Sequence, residues 1–164
     1  MIDFFNKCAS MTKKVTGTAK LKGTPEINVR PSMNVSKIGT FFDEEDALTS
    51  ILLEVASDEE SRKRGLMGRK SLPDICGMLF EGLSGGGYFW MKDCLIPLDI
   101  AFMTKEGFIT KTYSMPVDKK GEDRYEYGED DVMAVEVPMG FLKKWGIVEG
   151  FKLKTRDLLS KKET

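Results

Sequence analysis

The sequence predicts an α+β, β-rich domain: an antiparallel barrel-like or rolled sheet with two short helices, preceded by an extended N-terminal arm. Three observations predict it. Short apolar runs recur between glycine-bearing connections, at 77–80, 88–91, 98–104 and 108–113. Helix signals occur at two places, and both are short. Residues 11–39 keep neither a period of 2 nor one of 3.6. A chain of 164 residues with 41% hydrophobic content has material for one core, whereas two would each be marginal. The expected organisation is an arm with an acidic hinge over 1–46, one compact domain over 47–157 and a basic tail over 158–164.

The arm is rich in Thr, Lys, Gly, Pro, Ser and Asn, with scattered apolar residues Ile27, Val29, Met33, Val35 and Ile38. If ordered, these would add an edge strand to this subunit or to a neighbour, which makes them the candidate partner-binding residues. The hinge FFDEED at 41–46 reads as a solvated turn. Residues 51–56 (ILLEVA) form the first expected strand. The motif SDEE at 57–60 then has the form of a capping box with Ser57 as N-cap. Glu59 with Lys63 and Glu60 with Arg64 are spaced i,i+4 in the orientation that also suits the helix dipole, and Gly68 is the expected C-terminal cap.

Strands at 77–80 (GMLF) and 88–91 (YFWM) are separated by a glycine-rich connection, 81–87. That connection lacks the Lys-Ser or Lys-Thr of a phosphate-binding loop and does not lead from strand to helix. Residues 98–104 and 108–113, joined by KEG at 105–107, read as a β-hairpin. The polar stretch 118–131 is the longest irregular segment of the domain, and such loops are usually functional or mobile. A strand at 132–137 runs into Pro138, which is expected to start a short helix through Trp145, with Phe141 and Trp145 on one face and Gly146 as its stop. Residues 151–155 (FKLKT) alternate as a last strand.

Composition removes several classes of function. Charged residues make up 31% of the chain yet sum to a net of -1, so no global field draws it to nucleic acid or an anionic membrane. The N-terminus does not read as a secretion signal, no apolar run is long enough to span a bilayer, and a cytoplasmic location is expected. Three cysteines without C-x-x-C spacing, and no histidine, argue against a disulfide framework, a zinc site and Ser-His or Cys-His dyads. No metal or cofactor is expected. Cys76 and Cys94 read as core or loop residues, the ten methionines as core fillers, and Phe89, Trp90, Phe102, Phe141 and Trp145 as core aromatics.

Several blocks share one order and spacing: RGLMGR at 64–69, LP at 72–73, GMLF at 77–80, FWMK at 89–92, IPLDI at 96–100, and Glu136 followed by Gly140. Together they resemble the signature of the domain of unknown function 192 family, which has no agreed activity. The chain differs from the pattern in carrying Asp93 where asparagine is usual, and no cysteine pair between Val117 and Tyr127. Many family members look exported, whereas this chain begins with an unexported-looking arm. Phages also carry domains resembling the family, which implies by analogy an accessory structural role in a virion or other large complex, and then a virion location.

Four shared charges, Arg69, Lys92, Asp99 and Glu136, are embedded in apolar segments, where a charge is tolerated only if paired and hydrogen-bonded. A structural ion-pair network is the plainer expectation. The functional one is a shallow ligand-binding cleft beside Trp90, with Arg69 and Lys92 engaging an anionic group while Asp99 and Glu136 orient it. Asp99 and Glu136 are also the catalytic candidates, as a general acid/base pair, which requires them on one face. The leading expectation is a non-enzymatic binding or assembly protein whose arm docks on another protein or a neighbouring copy. The alternative is a small hydrolase or ligand-binding enzyme using the charged cleft.

Overall fold

The computed structural model describes residues 34–44 and 46–158. Of the partner-binding residues expected in the arm, Ile27, Val29 and Met33 lie outside the described residues. In chain order the elements are β1 (Val35–Asp43), β2 (Asp46–Ala56), α1 (Glu59–Arg64), β3 (Cys76–Glu81), β4 (Gly87–Phe89), β5 (Leu98–Met103), β6 (Ile109–Met115), β7 (Tyr125–Tyr127), β8 (Met133–Pro138), α2 (Phe141–Lys144) and β9 (Lys152–Asp157). Seven strands make one sheet in the order β6-β5-β8-β3-β2-β1-β9, while β4 and β7 pair separately. None of the described helices is long and apolar enough to cross a membrane.

The sheet is rolled but not closed along its length. Its two edges meet at one end only, through the Phe108–Lys152 bridge and the bonds from Ile109 N to Phe151 O and from Leu153 N to Gly107 O. Gly107 makes that seam possible: its φ is +87°, and a Cβ there would collide with the Leu153 carbonyl oxygen. The expected all-antiparallel pairing is also modified, because β2 and β3 run parallel. A parallel neighbour needs a long crossover, and the segment carrying α1 provides it.

The expected arm ends earlier than Asp46. Val35 and Ile38 belong to β1, which pairs with β2 on one side and β9 on the other, so they help build this domain's own sheet. Phe41, expected in a solvated hinge, is fully buried against the Phe141 ring, 5.9 Å between centroids. Of the expected hinge, Glu44 is the described residue that remains in a turn, at φ +50°.

Both faces of the sheet are buried. Facing the interior of the roll are Phe41, Ile51, Leu53, Leu79, Ala101, Met103, Val135 and Val137, closed over by Phe141 and Leu142 of α2. The outer face presents Ala56, Met78, Phe80, Leu98, Ile100, Phe102 and Ala134. It is covered by Leu66, Leu83, Met91 and Cys94 from the irregular connections on either side of β3 and β4, and by the tyrosines of β7. Period-2 alternation along β5 and β8 therefore serves two cores, which explains why these strands read as continuous apolar runs.

The two helices keep their places with altered caps. α1 is capped by Asp58, whose carboxylate accepts from Ser61 N at 2.8 Å while Ser61 Oγ accepts from Asp58 N. The box is therefore one residue later than expected, because Asp58 rather than Ser57 takes the extended N-cap backbone. Gly65, not Gly68, is its C-cap, and the Glu59–Lys63 pair closes to 2.6 Å. Pro138 ends β8 instead of opening a helix; α2 follows Gly140, whose φ is +89°. Within it Phe141 is buried while Trp145 is 40% exposed, so the two aromatics do not share a buried face. Strand β4 stops at Phe89, and β7 supplies regular structure inside the stretch expected to be irregular.

Candidate functional site

The four shared charges do not converge. Asp99 and Glu136 sit on adjacent antiparallel strands, but the register sets Ile100 opposite Glu136 and Val137 opposite Asp99. Side chains alternate along each strand, so Asp99 points into the roll with Ala101 while Glu136 points outward with Ala134. An acid/base pair across one substrate is therefore not available to these two carboxyls. This corrects the catalytic pairing expected from sequence.

Asp99 is 1% exposed and fully engaged. Its Oδ1 accepts from Ser114 Oγ at 2.7 Å, and its Oδ2 accepts from Gly140 N at 2.8 Å and Leu142 N at 3.2 Å. Since Gly140 has no side chain with which to cap α2, the carboxylate of β5 caps it across the fold.

Arg69 pairs instead with Glu54, at 2.5 and 2.8 Å in bidentate geometry. Glu54 stands near the C-terminal end of β2 and is 6% exposed. Hydrogen bonding to Glu54 raises the Arg69 pKa still further, so the guanidinium remains charged. Arg69 is held in reach because Gly68 N donates to Asp93 O at 2.9 Å, tying the segment after α1 to the one after β4. Asp93 has φ +58°, a conformation that aspartate and asparagine tolerate better than other residues with a side chain.

Glu136 is the unusual group. It is 4% exposed and, among the described residues, its carboxyl makes no hydrogen bond or ion pair. Its cross-strand neighbours are Met78 and Ile100, and Met78 in turn separates it from Glu54. Two inter-strand steps of about 4.8 Å put the Arg69–Glu54 pair roughly 10 Å along the same row. Burial pushes the Glu136 carboxyl up to about 8, so it is neutral below that pH. Nearby Cys94 is pushed up to about 12 by burial first and then by the Glu136 and Asp93 charges, and it is an inert thiol at neutral pH.

Lys92 and Trp90 face solvent instead. Trp90 is 36% exposed and Tyr88 53%, with ring centroids 6.3 Å apart in an edge-to-face arrangement. The Lys92 ammonium lies 5.2 Å from the Trp90 centroid. Arg124 packs on both rings, 4.9 Å from Tyr88 and 5.1 Å from Trp90. Its loop is wound by Asp118, whose carboxylate accepts from the backbone N–H of Lys120 and Asp123, and Arg124 itself donates to Gly121 O at 2.7 Å. The set that sequence reasoning placed in one cleft is thus distributed over three locations: interior, outer core and surface.

Glu54, Tyr88 and Arg124 were not among the expected site residues. Glu54 had a usable signal, a lone carboxylate in the run ILLEVA. Arg124 had none, since it lies in a charged stretch and becomes meaningful only through the rings it touches.

Comparison with known proteins agrees with this architecture. The chain is similar to a "putative transcription regulator" from Sinorhizobium meliloti 1021, at 24% identity with a TM-score of 0.67, over 77% of this chain and 97% of that one. It is similar also to a protein of unknown function from Novosphingobium aromaticivorans DSM 12444, at 22% identity with a TM-score of 0.66, over 84% and 99% of the two chains. At these identities the likeness establishes a shared fold. No curated protein sequence matches the chain. The model of the DUF192 family, described as "Uncharacterized ACR", matches residues 41–155, from Phe41 at the start of the core through Thr155 in β9. The chain belongs to the DUF192 family.

Proposed function

We propose that this chain is a non-enzymatic binding protein that engages another protein through the exposed surface around Trp90. The observation that carries this reading is the packing of Tyr88, Trp90 and Arg124 at the surface, stiffened by Lys92 and by the Asp118-wound loop. Trp, Tyr and Arg are the residue types that dominate binding hot spots, because each offers a large contact area at low entropic cost. Here they are already held in place before any partner arrives. Two of the other expected site residues have structural roles that account for them: Asp99 caps α2, and Arg69 pairs with Glu54.

Assembly through the N-terminal arm extends the same reading, in a narrower form. Deleting everything before Phe41 would remove most of β1 and with it the strand that joins β2 to β9. Cutting before Asn34 instead tests the arm while leaving every described strand whole. The trimmed chain is expected to keep its melting temperature within a few degrees and to lose association with its partner; loss of the fold would contradict the assignment of the arm as a docking element.

A photo-crosslinking amino acid placed at Tyr88 tests the surface itself. In cells making the full chain it should give a defined protein adduct that the same probe at Lys154, on β9, does not. Adducts of equal yield at both positions, or none at Tyr88, would overturn the reading.

A further inference from the structure

The surface around Trp90 holds two exposed cations that have no carboxylate partner. Lys92 lies over the Trp90 ring, and Arg124 over both Trp90 and Tyr88. Gly121 relates the two. Its carbonyl accepts from Arg124 Nη1 at 2.7 Å, and it packs so closely on Lys92 that a Cβ added to it would stand 3.2 Å from Lys92 Cβ. Among the described residues neither cation makes an ion pair, although Asp93, Asp118, Glu122 and Asp123 are close in sequence. Asp118 is occupied by its own loop: backbone hydrogen bonds, that of Asp123 first, hold its carboxyl below the usual range. Arg124 uses Nη1 on two backbone carbonyls, and its Nε and Nη2 make no hydrogen bond among the described residues.

Resting on the reading of this surface as a protein-docking site, we infer that the partner presents an aspartate or glutamate side chain to Lys92 and Arg124 beside Trp90. A carboxylate is the counterion that matches a guanidinium with donors to spare, and the ammonium adds a second charge-assisted bond. The chain's own carboxylates decide against a polyanion. Residues 118–124 carry Asp118, Glu122 and Asp123 against Lys119, Lys120 and Arg124, and Asp93 follows Lys92, so the neighbourhood has no net charge. A nucleic acid strand, charged at every phosphate, would meet those carboxylates together with the cations. Its bases would also find Lys92 and Arg124 already over the rings on which they would stack. A single carboxylate on an otherwise neutral segment meets neither obstacle. Without a net field, recognition depends on contact and not on long-range attraction.

The full chain carrying the photo-crosslinking amino acid at Tyr88 tests this in cells. Lys92→Gln and Arg124→Gln should each lower the adduct yield sharply, whereas Lys92→Arg, which keeps the charge, should restore it; all three positions of change are exposed, so the fold is little at risk. Mass spectrometry of the adduct should find an Asp or Glu within about three residues of the crosslinked position, the reach of an extended segment across these side chains. A synthetic copy of that partner segment then closes the cycle. Changing its acid to the amide should weaken binding to the parent chain about tenfold, and should change nothing in binding to the Lys92→Gln/Arg124→Gln chain. Absence of any defined adduct from the parent would defeat the docking reading and this inference with it. Full adduct yield from both glutamine variants, an amide segment that binds the parent as the acid does, or an adduct that nuclease removes would defeat this inference alone.

Discussion

The two faces of the seven-stranded sheet treat a buried carboxyl in opposite ways. On the interior face Asp99 receives three hydrogen bonds and joins β5, β6 and the start of α2. On the outer face Glu136 receives none from the described residues and stays neutral to about pH 8. The difference follows from what covers each face. The interior is closed by the roll and by α2, whose unsatisfied N–H groups need an acceptor. The outer face is covered by irregular connections, and there Arg69, about two strands along the same row, is committed to Glu54. A carboxyl set among apolar residues is therefore not one kind of object: Asp99 acts as a clamp, Glu54 as half of an ion pair, and Glu136 as a proton-holding group inside an apolar layer.

Four single substitutions and one double variant would break or sharpen this contrast. Asp99→Ala should have the largest effect, a loss of about 5 kcal/mol, since it orphans two backbone donors and a hydroxyl at roughly 1–3 kcal/mol each; chemical denaturation measures it. A loss below about 1 kcal/mol would mean that α2 is capped in some other way. For Glu136→Gln the sign reverses, with a gain of up to about 4 kcal/mol at pH 8, because the unfolded chain no longer has to take up a proton on folding. Arg69→Ala should cost about 3 kcal/mol, less than a fully buried pair, because the guanidinium keeps some contact with water. Adding Glu54→Gln should recover part of that loss. Trp90→Ala is expected to change stability by less than about 1 kcal/mol while removing the partner adduct, which separates the surface from both cores.

Much of the fold was readable from residue order. Strands β5, β6 and β8, the glycine-bearing turn at 105–107 and both short helices follow from period-2 runs, turn chemistry and capping residues. Strand β1 was legible only in part: Val35 and Ile38 were expected to add an edge strand to this subunit or a neighbour, but VSKIGTFFD mixes apolar with small polar residues, and its place between β2 and β9 exists only in the tertiary fold. Strand β7 is only three residues long, inside a charged stretch. The site was readable as a set of charges but not as a geometry. Alternation fixes which residues of one strand share a face; it does not fix the phase between strands. A one-residue slip of β8 against β5 would have brought Asp99 and Glu136 to the same side. Their separation depends on the Ile100–Glu136 register, which no local pattern encodes.

The most direct test of the account is the pH dependence of stability for the parent chain and Glu136→Gln. The folded carboxyl has its pKa raised from 4.5 to about 8, so the folded state holds a proton that the unfolded state has lost between those values. The contribution of Glu136 is therefore fully present below about pH 4.5 and lost as pH rises toward 8. The parent and the variant should melt together near pH 4, and the variant should melt progressively higher as pH increases, with the gap levelling above pH 8. A variant that is less stable than the parent at pH 8 would show Glu136 ionised and paired in the folded chain, and would return it to a working site with Arg69 or Lys92.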